Sequence, residues 1–241
     1  MAPQAAAVAV DGSVAGAALH RAGHTNALFG MAPDGGARAD LLSKPNVVRL
    51  VDAVAAWLGT AQRRVAASMV VLGYSARLVG PSVAVLLRDG ILLDVRPARV
   101  RYTYRPESGF RLALPDPGGW RGPPSLLREQ WCRDVVDDHL GPVVAGVRAV
   151  VPVATALLWG NVASGLAGAL RSLALTGDVS PERGLYEGLS MLDHGPLRGT
   201  GRLWIDGGEL RFLRRSCCLF YRLDGGGTCG DCPLPPRTGA P

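Results

Sequence analysis

Apolar positions recur with a helical period from residue 43 onward. Ser43, Pro45 and then Val47, Val48, Val51, Val54, Ala55 and Leu58 predict an amphipathic helix that stops at Gly59. A second helix is expected over residues 61–78, and a third from Pro81, where proline suits a first turn, to Asp89-Gly90. The period then changes to two. An apolar run over residues 91–95 leads to Val100, Tyr102 and Tyr104, which alternate with Arg101, Thr103 and Arg105 as on a strand with one wet face. Residues 110–114 are expected to pair beside it, and Pro115, Pro117, Gly118 and Gly119 close the unit with a loop.

Helical spacing returns with Leu127, Trp131, Val135 and Val136, in a helix expected to end at Gly141-Pro142. The apolar stretch up to Thr176 forms one or two more helices, stopped by Gly177, and Ser180-Pro181 starts another that runs through Met191. Short strands are expected over 209–215 and 219–223, with Asp224-Gly225-Gly226-Gly227 as the turn that follows. The first forty residues are rich in Ala and Gly, show no sustained period and end in the Pro33-Asp34-Gly35-Gly36 turn cluster, so they read as partly disordered. The fold class that follows is α+β, mostly helical: helical layers, a small antiparallel sheet and a C-terminal cysteine-rich segment. Four segments are expected: 1–42, partly disordered; 43–122, helices plus a small sheet; 123–194, helical; and 195–241, beginning at a Gly-rich stretch.

Composition removes several function classes. The chain has 241 residues and a net charge of +6, but its basic residues are scattered and Lys44 is the only lysine, with no basic run interleaved with aromatics. Nucleic acid is therefore not an expected partner. Residues 149–170, between Arg148 and Arg171, carry no charge and are long enough to span a bilayer. Pro152, Asn161, Ser164 and the glycines within favour a buried helix broken near Pro152, so no span is expected and peripheral membrane contact stays open. Residues 1–10 lack a positively charged leader region, which points to the reducing cytoplasm.

In that compartment clustered cysteines act as ligands or redox groups more often than as cross-links. Four of the five cysteines fall within a short C-terminal stretch, as Cys217-Cys218 and then Cys229 and Cys232. Two residues between Cys229 and Cys232 let a turn close both thiolates on one metal. Adjacent residues on a regular strand face opposite ways, so Cys217 and Cys218 share a centre only if the backbone bends there. Spacing leaves zinc and iron open, since both accept four thiolates. Zinc ribbons, however, carry two spaced pairs, and here the first pair has no spacer.

The run Arg215-Ser216-Cys217-Cys218-Leu219-Phe220-Tyr221-Arg222, followed by Gly227-Thr228-Cys229-Gly230-Asp231-Cys232-Pro233, resembles the C-terminal signature of the FhuF-like ferric-siderophore reductases. Trp159-Gly160-Asn161 and the small residues after it resemble the core of that family. The resemblance implies a [2Fe-2S] cluster on Cys217, Cys218, Cys229 and Cys232 and one-electron reduction of siderophore-bound iron(III), with iron(II) released in the cytoplasm. It also implies a ferric siderophore of hydroxamate type as substrate and an external donor such as a ferredoxin or flavin reductase. The protein would be cytoplasmic or peripheral to the inner face of the cell membrane. Arg211, Arg214, Arg215 and Arg222 surround the cysteines and are candidates for offsetting cluster charge or contacting substrate or donor.

Two other readings compete: an iron–sulfur sensor or electron carrier without an iron-chelate substrate, and a zinc-stabilised interaction module. Cys132 is expected to be a buried thiol. His20, His24, His139 and His194 share no ligand spacing, and Tyr102, Tyr104 and Trp120 read as packing before pocket lining. No glycine loop of a nucleotide-binding type follows a strand, so direct use of a nicotinamide cofactor is not expected.

Overall fold

The computed structural model describes residues 7–32, 37–38 and 43–235. Its architecture is α+β and mostly helical, organised around α3 (Arg63–Ala84), whose residues are buried almost without interruption from Val65 to Ala84. The most extensive helix contact is between α3 and α6 (Thr155–Leu175), with α2 (Lys44–Trp57) packed on α3 and α7 (Pro181–Leu192) on α6. Because α3 is enclosed by its neighbours, apolar residues on all its faces are stable there. The helical run 63–89 has the length and hydropathy of a membrane span, and 78% of an apolar 18-residue stretch within it is buried inside the fold.

Three small antiparallel sheets flank the helices. One joins β1 (Val8–Val10), β6 (Gly119–Arg121) and β3 (Leu92–Leu93) in the order β1-β6-β3; a second joins β2 (Ala37–Arg38), β4 (Arg101–Arg105) and β5 (Gly109–Ala113) in the order β2-β4-β5. In the second, Tyr102 pairs with Leu112 and Tyr104 with Phe110; both tyrosines pack against Phe110, and Tyr102 also against Tyr74. The third sheet is the hairpin of β7 (Gly201–Asp206) and β8 (Glu209–Arg214), turned by Gly207 and Gly208 at φ 58° and 82°. It packs on α6 and α7 and carries the cysteine segment at its end.

The structure corrects several sequence expectations. Residues 61–78 and the segment from Pro81 do not form two helices: Pro81 lies inside α3, which continues through a π-helical turn at Val85–Asp89 and ends at Gly90, φ 64°. An interior proline costs about 3 kcal/mol, which the burial of the whole stretch outweighs. Gly141-Pro142 likewise does not stop its helix. α4 (Pro124–Trp131), a π-helical stretch at Cys132–Leu140 and α5 (Gly141–Val150) follow without a break. The wider π turn lets Gly141 N–H reach Val136 O and puts Pro142 where no donor is needed. The break expected near Pro152 is present, between α5 and α6.

The N-terminal reading also changes. Asp11 caps α1 (Gly12–Thr25) through Ser13 N–H, and Ala15, Ala18, Leu19 and Ala22 form its buried stripe. That stripe has helical spacing but is made mainly of alanine, too weakly apolar to stand out. The Pro33-Asp34-Gly35-Gly36 cluster lies outside the described residues. Residues 219–223 form a 3-10 turn at Phe220–Arg222 in place of a strand.

Candidate metal centre

Strand β8 delivers the site. Its alternation buries Leu210, Phe212 and Arg214 and turns Glu209, Arg211 and Leu213 outward. Arg214 is thereby driven into the interior, where it is 2% exposed. Its Nη2 donates to Asn161 Oδ1 at 2.6 Å and to Leu157 O at 3.2 Å, both on α6. Its Nε has no hydrogen-bond partner among the described residues, and no carboxylate pairs with it there. A buried guanidinium without a counter-ion is costly, so an anion belongs beside it.

The cysteines supply that anion. Beyond β8 the chain bends at Leu219, which at φ 69° is the only non-glycine with positive φ among the described residues. The bend directs Leu219 N–H to Cys217 Sγ at 3.3 Å, while Phe220 N–H serves Cys218 and Asp231 N–H serves Cys229. The second loop closes through Cys232 N–H to Cys229 O at 3.0 Å and returns to β8 through Arg214 N–H to Asp231 O at 3.0 Å. Asp231 is in turn held by Arg171 of α6 at 2.7 Å.

Cys218 Sγ and Cys229 Sγ lie 3.7 Å apart. Two sulfurs bound at about 2.3 Å to one tetrahedral metal stand about 3.8 Å apart, so these two already have the spacing of ligands on one centre. This short contact links the two cysteine loops. Among the described residues no group of three or more His, Cys, Asp or Glu side chains is already gathered. One thiol pair in contact, amide donors to three sulfurs and a buried cation are the surroundings that anionic sulfur ligands of an iron–sulfur cluster need.

Electrostatics agree with this arrangement. Cys218 and Cys229 share a proton; the contact with Cys229 draws Cys218 down to about 7, helped by Phe220 N–H and Arg214, while Cys229 is pushed up. Burial pushes the Cys217 thiol up, and the nearness of Cys232 and Cys229 adds to that. By contrast Cys132 is buried alone, where desolvation raises it to about 12.

Two helices, α3 and α6, brace the first cysteine loop. Ser68 of α3 donates to Cys218 O at 2.7 Å, and Asn161 Nδ2 donates back to Ser68 O at 2.8 Å. Ser216 Oγ donates to Ala156 O at 3.0 Å. A Cβ on Gly160 would meet Ser216 Oγ at 2.4 Å and Arg214 Nη2 at 3.1 Å, so a side chain there would push the loop away. Asn161 and Gly160 therefore have distinct tasks, anchoring the cation and admitting the loop.

Of the other candidate arginines, Arg211 pairs with Glu209 at 2.9 Å on the outer face, and Arg222 lies over Tyr221 and reaches Gln62. Arg215 is exposed and fixed by its backbone to Thr200 O. Arg214 alone of the four is buried beside the thiols. The inward phase of an alternating strand, with Leu210 and Phe212, was the signal that distinguished it.

A cavity of about 450 Å³ opens beside the site. Its lining includes Cys229 and Arg214 of the site, Leu28 and Phe29, residues of α3, and Gly165 and Gly168 of α6. A second cavity of about 320 Å³, lined by Trp120, Leu126 and Asp134, includes none of the four cysteines.

Comparison with known families gives two matches. The model described as "Ferric iron reductase FhuF-like transporter" matches residues 68–189, half of the chain, from α3 to α7. The "FhuF 2Fe-2S C-terminal domain" matches residues 214–234, from Arg214 through all four clustered cysteines. A comparison with curated proteins gave no match.

Proposed function

Because the chain belongs to the FhuF-like family of ferric iron reductases and carries its [2Fe-2S] domain, we propose that it reduces siderophore-bound iron(III) by one electron and releases iron(II) in the cytoplasm. The substrate is a ferric siderophore of hydroxamate type, and the electron comes from a separate ferredoxin or flavin reductase. Cys217, Cys218, Cys229 and Cys232 hold the cluster in this reading. The observation that carries it is the Cys218–Cys229 pair at 3.7 Å beside a buried Arg214 that has no carboxylate partner among the described residues.

When bound, the cluster supplies a carrier for single electrons at a potential set by its surroundings. The chain's own residues do the rest. Arg214 offsets part of the negative charge of four thiolates, and the N–H groups of Leu219, Phe220 and Asp231 stabilise sulfur in its anionic form. Burial of Cys218 keeps water from that side of the site. Iron(III) enters held by hard anionic oxygens, gains one electron, and leaves as the more weakly held iron(II). No acid, base or nucleophile is required.

The test is anaerobic purification followed by visible absorption and electron paramagnetic resonance, then mixing of the reduced protein with a ferric trihydroxamate and a chromogenic iron(II) trap. One trapped iron(II) per cluster is expected, at a rate well above that without protein. A colourless protein that retains zinc, or a cluster reoxidised no faster with the chelate than without it, overturns the reading.

A further inference from the structure

We propose that the cavity between α3, α6 and the Asn26–Phe29 turn is the site that receives the ferric chelate; the inference rests on the function proposed above and places its substrate. Three observations carry it. Cys229, one member of the 3.7 Å thiol pair, is among the residues that line the cavity, so an occupant is brought close to that pair. Arg214, 2% exposed and with Nε unpartnered among the described residues, lines the same cavity. Its volume, about 450 Å³, falls in the range of small-molecule sites, roughly 300–1,000 Å³.

Lining chemistry indicates what fits. Leu28, Phe29, Leu72 and Leu175 offer apolar surface, while the charge of Arg171 is taken up by Asp231 at 2.7 Å. The Ser164 hydroxyl, in the wall, has no partner among the described residues and offers a donor to a chelate oxygen. A chelate of low net charge with an apolar periphery suits such walls better than a highly anionic one, which the thiolates beside it would repel.

Gly168 separates a designed opening from loose packing. A glycine inside a helix is disfavoured relative to alanine, and a Cβ on Gly168 would meet nothing within 4 Å. Packing therefore does not demand glycine here. A side chain at 168 would instead project into the space that the cavity provides.

The test uses the full protein with its cluster. Gly168→Leu fills the cavity at a position with room and good helix propensity, and Leu28→Trp narrows it from an exposed position. Leu126→Trp, in the second cavity, is the control. Affinity is read first with the redox-inert gallium(III) complex of a linear trihydroxamate, by calorimetry. Reoxidation by the ferric chelate and by ferricyanide is then followed by stopped flow. Both cavity variants are expected to keep the cluster spectrum, bind the gallium complex at least tenfold more weakly and react with the ferric chelate at least tenfold more slowly at low concentration. Ferricyanide should oxidise all variants within twofold of the wild type, and the control should match the wild type throughout. If the wild type does not react with the ferric chelate, the functional reading fails and this site with it. If the wild type reacts and both cavity variants keep binding and rate within twofold, the placement alone is wrong.

Discussion

Arg214 Nη2 donates to Asn161 Oδ1 at 2.6 Å, tying a buried strand residue beside the thiols to the middle of the central helix pair. Asn161 also donates to Ser68, which donates to Cys218 O, so one amide orients both a cation and a ligand loop. Replacing Arg214 with methionine should leave the cluster assembled but lower its midpoint potential, because the reduced state gains negative charge that nothing offsets. A tenfold loss in relative stabilisation of the reduced form corresponds to about 59 mV. Redox titration followed by electron paramagnetic resonance measures it; an unchanged potential would show that the charge of Arg214 does not reach the cluster. Asn161→Leu should shift the potential in the same direction and destabilise the fold by about 1–3 kcal/mol, since it strands buried donors.

Cysteine variants should divide sharply. Cys218→Ser is expected to abolish the visible spectrum and bound iron, because it removes the buried member of the 3.7 Å pair. Cys132→Ser should leave both intact, since that thiol is buried apart from the site and held protonated, near 12. Iron analysis with absorption spectra distinguishes the two outcomes.

Gly160→Ala tests the seating of the cysteine loop. Its Cβ would lie 2.4 Å from Ser216 Oγ, which gives up its bond to Ala156 O if it moves. A loss of about 1–3 kcal/mol in thermal or denaturant stability is expected, together with faster loss of iron to a chelator. Gly168→Ala, on the same helix but facing open space, should show neither effect.

Acid stability should report on His139. Its Nδ1–H donates to Val95 O at 2.6 Å, so Nε2 accepts from Tyr74 O–H at 2.7 Å, and burial lowers its pKa from 6.5 to about 4. Between those values the unfolded chain binds the proton and the folded one does not. The contribution is complete above pH 6.5 and is lost as pH falls toward 4, by roughly 3 kcal/mol. Urea denaturation at stepped pH should show this slope, and His139→Gln should flatten it.

Much of the site was legible before any fold was known. Ligand spacing is local, so the set of four clustered cysteines could be read from it, whereas the left-handed turn at Leu219, φ 69°, could not. The four flanking arginines looked alike because composition does not state which face a strand buries. The alternation of Leu210, Phe212 and Arg214 held that information, but an inward arginine is costly until the group that balances its charge is in view. Helices with caps, such as α7 behind Ser180, were readable for the same local reason.

The sequence by itself determined the cysteine set, the strand alternation and the helical character of most of the chain, because those depend on neighbours a few positions apart. Tertiary structure decided what depends on distant partners. Pro81 stays inside a helix because surrounding contacts outweigh its local cost, and Pro142 because the preceding π turn places it in the first turn of α5, where no donor is needed. Cys218 meets Cys229 because β8, Asp231 and Arg171 bring the two loops together. Arg214 stands apart from its three neighbours because α6 supplies the acceptors that make its burial possible.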